Sequence, residues 1–173
     1  MNIQYYRHGF NLVELMTTVT VASILMAIGL PSLKSLQLQI RAKSNISTIQ
    51  HSLQFARNMA INYGSRVTVC PLNDGKCHKD WQAGYVIFLD SGTSNQFDIG
   101  DQVLKQISPF DSNDIVQYNR LAVRFLPDGL ASGTNGTLTY CPEIHTSIYS
   151  KAVIVNQAGR VRYSTQKQIM CKK

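Results

Sequence analysis

Between residues 15 and 30 there is no charged side chain, and between residues 144 and 173 there is no acidic one. The first absence excludes a solvated surface helix. The second leaves the C-terminal stretch with only positive formal charge. Catalytic signatures are missing as well: His8, His51, His78 and His145 are scattered, with no His-Glu-x-x-His pair, no phosphate-cradling glycine loop and no nucleophile elbow. No enzymatic activity and no cofactor are therefore expected. Internal repeats and low-complexity segments are lacking too, which excludes solenoids and leaves room in 173 residues for one globular domain beside the apolar segment.

What is present begins with that segment. With Phe10 to Val13 counted, the apolar run reaches Pro31 and approaches the roughly 20 residues an α-helix needs to cross a bilayer. Glu14 interrupts its start, at a cost of about 2.5–3.5 kcal/mol in lipid unless a partner is found. A cleavable secretory signal would place its small residue after the apolar core. Here Gly9 precedes it, behind a short leader carrying Arg7 and His8. This order of basic leader, Gly9, Phe10, apolar residues, Glu14 and a long apolar stem resembles the class III signal of type IV pilins and type II secretion pseudopilins. The resemblance implies that a prepilin peptidase cuts after Gly9 and methylates Phe10. It also implies that Glu14 neutralises the N-terminal amine of a neighbouring pilin as helices bundle into a filament, since opposite charges in lipid are tolerable only together. The expected division is a leader over residues 1–9, a transmembrane and filament-core helix over 10–31, and a periplasmic head over 32–173 that includes the second half of the helix.

The formal net charge of +7 is unevenly distributed. Lys151, Arg160, Arg162, Lys167, Lys172 and Lys173 crowd the acid-free C-terminal region, whereas acids outnumber bases between residues 74 and 128. A basic end beside an acidic middle points to an anionic partner. Lys34, Arg41 and Lys43 follow the apolar stem and oppose Arg7 under the positive-inside rule. Orientation is thus read from the leader and the cysteines: inner membrane, single pass, head outside the cytoplasm, later assembled into a pilus.

Four cysteines, Cys70, Cys77, Cys141 and Cys171, all follow the stem. In an oxidising compartment an even count reads as two disulfides, with three pairings possible. The favoured one joins Cys70 to Cys77 around Asp74-Gly75, and Cys141 to Cys171. A metal site of Cys70, Cys77 and His78 is the alternative, although the spacing fits no standard zinc pattern.

Leu33, Leu36, Ile40, Ile46, Ile49, Leu53, Ala56 and Ala60 recur mostly at three- and four-residue steps, which predicts that the helix continues past Pro31 with one face on a core until Gly64 stops it. Pro31 is expected to kink or loosen it. Short β-rich runs follow at 65–70, 84–89, 103–108, 115–118, 121–126, 137–141, 152–156 and 160–164, separated by turn residues such as Asp74-Gly75, Pro127-Asp128-Gly129, Asn135-Gly136 and Asn156-Gln157-Ala158-Gly159. The fold class is α+β: a long N-terminal helix packed on an antiparallel sheet head, stapled by disulfides. Trp81 and residues 84–90 read as core.

The oxygen-rich stretch from Asp90 to Asp101 suggests Ca²⁺ but lacks EF-hand spacing and its terminal Glu, so a polar surface loop is expected. Gly159-Arg160-Val161-Arg162-Tyr163 is more informative. On a strand Arg160 and Arg162 share one face about 6.5–7 Å apart, with Val161 and Tyr163 on the other. Two guanidiniums so placed can hold neighbouring phosphates of a nucleic-acid strand.

The helix followed by Val69-Cys70-Pro71, residues 81–90, residues 125–129 and the late Gly-Arg-x-Arg together resemble the GspH/FimT group of minor pilins and pseudopilins across nearly the whole chain. For FimT-like members the resemblance implies DNA uptake in natural transformation, with Gly159, Arg160 and Arg162 at the DNA contact. For GspH-like members it implies a place near the tip of a secretion pseudopilus. The basic C-terminal region favours the first, with Lys151, Lys167, Lys172 and Lys173 as candidate additions to a sequence-independent phosphate patch.

Overall fold

The computed structural model describes Gly9, residues 11–131 and residues 133–172. Phe10 and Lys173, the expected methylation position and the last candidate lysine, lie outside the described residues. The chain forms two compact units, Met1–Leu38 and Gln39–Lys173.

In the first unit, helix α1 (Leu12–Tyr63) begins with Glu14 in its first turn. Leu12, Leu15, Met16, Val19, Ile24, Leu25 and Ile28 are all exposed. The helix is long and apolar enough to cross a membrane. Its hydroxyls are satisfied locally: Thr17 donates to the Glu14 carbonyl, Thr18 to Leu15, Thr20 to Met16 and Ser23 to Val19. Such back-bonding lets these hydroxyls sit on an otherwise apolar helix without orphaned donors. Pro31 lies inside α1 and does not end it, since a proline removes one ladder donor and leaves its neighbours theirs.

In the second unit, α1 buries Ala42, Ile46, Ile49, Ser52, Leu53, Ala56 and Ala60. These steps of three and four draw one apolar face. The expected stripe is too long at its start: Leu33, Leu36 and Ile40 are 63, 50 and 58 % exposed. Burial begins at Ala42 because the preceding residue, Arg41, pairs with Asp111 at 3.0 Å and Asp114 at 2.7 Å, a polar rim on the core. Gly64, at φ +58°, ends the helix in a Schellman pattern, with Ser65 N–H on the Ala60 carbonyl and Gly64 N–H on Ile61.

Ten strands follow among the described residues: β1 (Val67–Cys70), β2 (Leu72–Asn73), β3 (Lys76–Cys77), β4 (Tyr85–Leu89), β5 (Gln102–Ile107), β6 (Ile115–Tyr118), β7 (Val123–Phe125), β8 (Gly136–Cys141), β9 (Lys151–Val155) and β10 (Val161–Tyr163). They form two antiparallel four-stranded sheets, β5-β4-β1-β7 and β10-β9-β8-β6, plus the small hairpin β2-β3. Most of the expected runs lose one or two residues at their ends. Gly84 stays out of β4 because it takes φ +84° where a Cβ would meet the Ile107 carbonyl at 2.4 Å. The two-residue strands of β2-β3 escape a pattern-based reading because they are shorter than one period of alternation.

One core joins α1 to both sheets through Ile49, Leu53, Val69, Trp81, Phe125, Leu138 and Val153. Trp81 packs between Tyr85 and Tyr118, with ring centroids 5.5 and 5.3 Å away. β1 is buried along its whole length because a second cluster, Cys70 with Phe88 and Ala122, covers its other face. Cys70 is bonded to Cys77 and Cys141 to Cys171, so neither sulfur of the considered Cys70, Cys77 and His78 set is available to a metal.

The loop from Asp90 to Asp101 spends its carboxylates internally. Asp90 accepts from Arg66 and Thr68, Asp98 from the Thr93 N–H, and Asp101 from Ser91 and the Asp98 N–H. Burial pulls the Asp101 carboxyl upward, but the N–H donors of Asp98 and Ser91 outweigh it and hold it below the usual carboxylate range.

Tyr85, Tyr118 and Tyr140 have phenols whose pKa burial drives above the ordinary value of 10.0. Each prefers its proton more strongly when folded, so this stabilisation is complete below pH 10 and lost as pH rises beyond it. The head is expected to hold its melting temperature up to about pH 9 and to lose it steeply above about pH 10. The tyrosinate absorbance of these three phenols should appear together with unfolding rather than before it.

Candidate nucleic-acid interface

The turn after β9 is built by Asn156. Its N–H donates to the Arg160 carbonyl at 3.1 Å, its carbonyl accepts from Gly159 at 3.0 Å, and its Oδ1 accepts from the Arg160 N–H at 2.8 Å. Gly159 takes φ +73°, which a side chain rarely adopts. It is also pressed on a second turn, such that a Cβ would lie 1.8 Å from the Gly129 carbonyl oxygen. Gly129 is itself at φ +78°.

Arg57, projecting from α1, clamps the pair: its Nε donates to the Gly129 carbonyl at 3.1 Å and its Nη2 to the Ala158 carbonyl at 3.3 Å. The Ala131 N–H adds a further tie to the Gln157 carbonyl at 3.0 Å. The glycine of Gly-Arg-x-Arg is thus a packing requirement. The arginines that follow stand on a turn held from three sides.

Arg160 precedes β10 rather than lying within it, because its N–H and carbonyl both serve the Asn156 turn. The alternation nonetheless holds where it matters: Val161 is buried while Arg160 and Arg162 are exposed. Tyr163, on the Val161 side, is 44 % exposed because β10 is an edge strand. Arg57, Arg160 and Arg162 enter no ion pair among the described residues.

Register places the other candidates. Arg162 pairs with Ile154, which pairs with Thr137, giving one row on the outer face of the sheet. Lys151 pairs with Tyr140 and shares parity with the buried Val153 and Val155, so it sits on the opposite face, about 10 Å along the strand from Ile154. Lys167 is exposed in the C-terminal tail. Lys172 is anchored across the sheet: its N–H donates to Gln117 Oε1 at 2.8 Å and its carbonyl accepts from Gln117 Nε2 at 2.9 Å. It lines an open groove of about 710 Å³ with Lys79, Gln117, Asn119, Thr137 and Thr139. Thr137 belongs both to that groove and to the Arg162 row.

Arg57 was not legible as a member of this site, because its partners lie 72 and 101 residues downstream. Lys79 lacked a signal for the same reason.

A family model described as type II transport protein GspH matches residues 45–159. The chain belongs to the GspH family. Two crystal structures of the type IV minor pilin FimU from Pseudomonas aeruginosa strain PAO1 share this GspH-family fold. One is 21 % identical, with a TM-score of 0.55 over 70 % of this chain and 91 % of that one. The other is 20 % identical, with a TM-score of 0.56 over 76 and 90 %. No curated protein matches the chain in sequence. The GspH match ends at Gly159, so it takes in the stacked turns and stops one residue before Arg160.

Proposed function

We propose that this GspH-family chain is a minor type IV pilin that binds DNA through its phosphate backbone and supports DNA uptake in natural transformation. The supporting observation is a pair of exposed guanidiniums, Arg160 and Arg162, without ionic partners among the described residues, on a clamped turn in a region with no acidic residue. Contacts to phosphate need charge and position but no base recognition, so binding is independent of sequence. Full-length protein in neutral detergent should bind oligonucleotides of any sequence, with affinity falling steeply as salt rises. Replacing Arg160 and Arg162 together by Gln should abolish binding at moderate salt, or reduce the slope of log affinity against log salt by about 1.4–1.8. An unchanged slope would remove these arginines from the interface.

In this reading the leader is cut after Gly9, Phe10 is methylated, the stem waits in the inner membrane, and Glu14 pairs with a neighbouring pilin's amine during assembly. Glu14→Ala is expected to leave cleavage intact and to reduce incorporation into filaments, measured as the ratio of processed protein in sheared pili to that in membranes. Equal incorporation would exclude the pairing role.

A second reading is favoured by the matched family description, which names a type II transport protein. The chain is then a structural pseudopilin that primes or caps a filament without touching DNA. Normal filament assembly by the Arg160→Gln, Arg162→Gln variant with loss of DNA uptake supports the first reading. Loss of secretion with no measurable DNA affinity supports the second.

A further inference from the structure

At the seam between α1 and β10 lies a pocket of about 340 Å³ lined by Gln54, Arg57, Asn58, Arg160 and Val161. Its polar lining consists of two guanidiniums and two amides, with no carboxylate. Arg57 is held in place by the Gly129 and Ala158 carbonyls, which orient its guanidinium plane and leave its charge unneutralised. Asp128, beside the clamped turn, is occupied by the Leu130 N–H and does not line the pocket. A preoriented cation beside a second cation and two amide donors suits an oxyanion, and Arg favours phosphate through its fork of parallel donors.

Arg160 belongs both to this pocket and to the exposed pair with Arg162, two residues along the chain and so within about 7 Å between backbone positions. An anion held at the pocket and another held at Arg162 are therefore close enough to belong to one repeating polyanion. We propose that the α1–β10 pocket seats a backbone phosphate of the bound polynucleotide, with Arg57 as a third contact cation and Gln54 and Asn58 as hydrogen-bond donors. This rests on the reading of the chain as a DNA-binding pilin and adds a binding site, on the helix, to it.

The test places a carboxylate in the pocket without disturbing the Arg57 clamp. Asn58 is exposed and Gln54 half-buried, so Asn58→Asp and Gln54→Glu need no repacking of the core. Fluorescence anisotropy is read on the full chain in neutral detergent, with an oligonucleotide bearing hydroxyls at both ends. Each acidic variant is expected to weaken binding by about tenfold or more, because like charges are brought together at the contact, whereas Asn73→Asp, the same change at an exposed position of β2 outside the pocket, stays within about twofold. Wild-type affinity in both acidic variants, with binding still abolished by the Arg160 and Arg162 double change, would overturn the pocket and leave the DNA reading intact. No binding by the unaltered chain to the oligonucleotide, with or without terminal phosphates, would overturn both. Binding that requires a terminal phosphate on the oligonucleotide would assign the pocket to strand ends and overturn the backbone assignment.

Discussion

Replacing Gly159 by alanine is expected to destabilise the head by about 2–5 kcal/mol, the sum of a left-handed backbone penalty and an overpacking penalty. Both arise at one atom. At φ +73° an added methyl is strained whatever the space around it, and here it points at the Gly129 carbonyl oxygen, 1.8 Å away. The two turns must separate, and separation breaks the Arg57 hydrogen bonds to Gly129 and Ala158 together with the Ala131 tie to Gln157. Arg160 then loses its fixed position even though its charge is unchanged. The variant should show a lower melting temperature and weaker DNA binding. Gly129→Ala is expected to act in the same direction, since its Cβ would meet Ile61 at 2.9 Å and Arg57 at 3.2 Å while φ stays at +78°. A Gly159→Ala protein with an unaltered melting temperature would show that the turns are not held in contact in solution.

Replacing Asp114 by alanine is expected to cost about 3–5 kcal/mol, the range for breaking a buried ion pair from one side. The carboxylate side chain is 0 % exposed and its Arg41 partner 24 %. It accepts from Arg41 Nη2 at 2.7 Å, from the Glu143 N–H at 3.2 Å and from the Tyr140 hydroxyl. That hydroxyl in turn accepts from Asn45 Nδ2 at 2.7 Å. The network thus ties two positions of α1 to β8 and to the turn beyond it. Alanine takes the carboxylate acceptor from the buried Tyr140 hydroxyl and from the half-buried Arg41 Nη2. Asparagine keeps the shape and one acceptor oxygen, so Asp114→Asn is expected to lose about 1.5–3 kcal/mol. Denaturant unfolding of the three proteins side by side measures both differences. A loss below about 1 kcal/mol in the alanine variant would mean that water satisfies these donors.

Much of the molecule was legible because the signals are local. Sixteen consecutive uncharged positions gave an apolar helix long enough to cross a membrane, whatever follows them. The steps from Ile46 to Ala60 gave the buried face of α1, and Gly64 its end, because helix periodicity and the left-handed cap are properties of neighbouring residues. The turn dipeptides located most of the strand boundaries. The stripe failed at Leu33, Leu36 and Ile40 because periodicity reports an apolar face and not what covers it. The arginines showed the same division: alternation around Val161 put Arg160 and Arg162 outward, but not which groups would surround them.

The amino-acid order by itself therefore determined an apolar stem with one carboxylate, an α+β head and an acid-free basic end, since each depends on spacing within a few residues. Only the tertiary structure decided that the strands divide into two sheets, that Lys151 faces away from Arg162, and that Gly159 rests on Gly129 beneath Arg57. Those facts follow from packing between segments many tens of residues apart. There the close approach of two backbones, rather than any local preference, selects glycine and positions the charge.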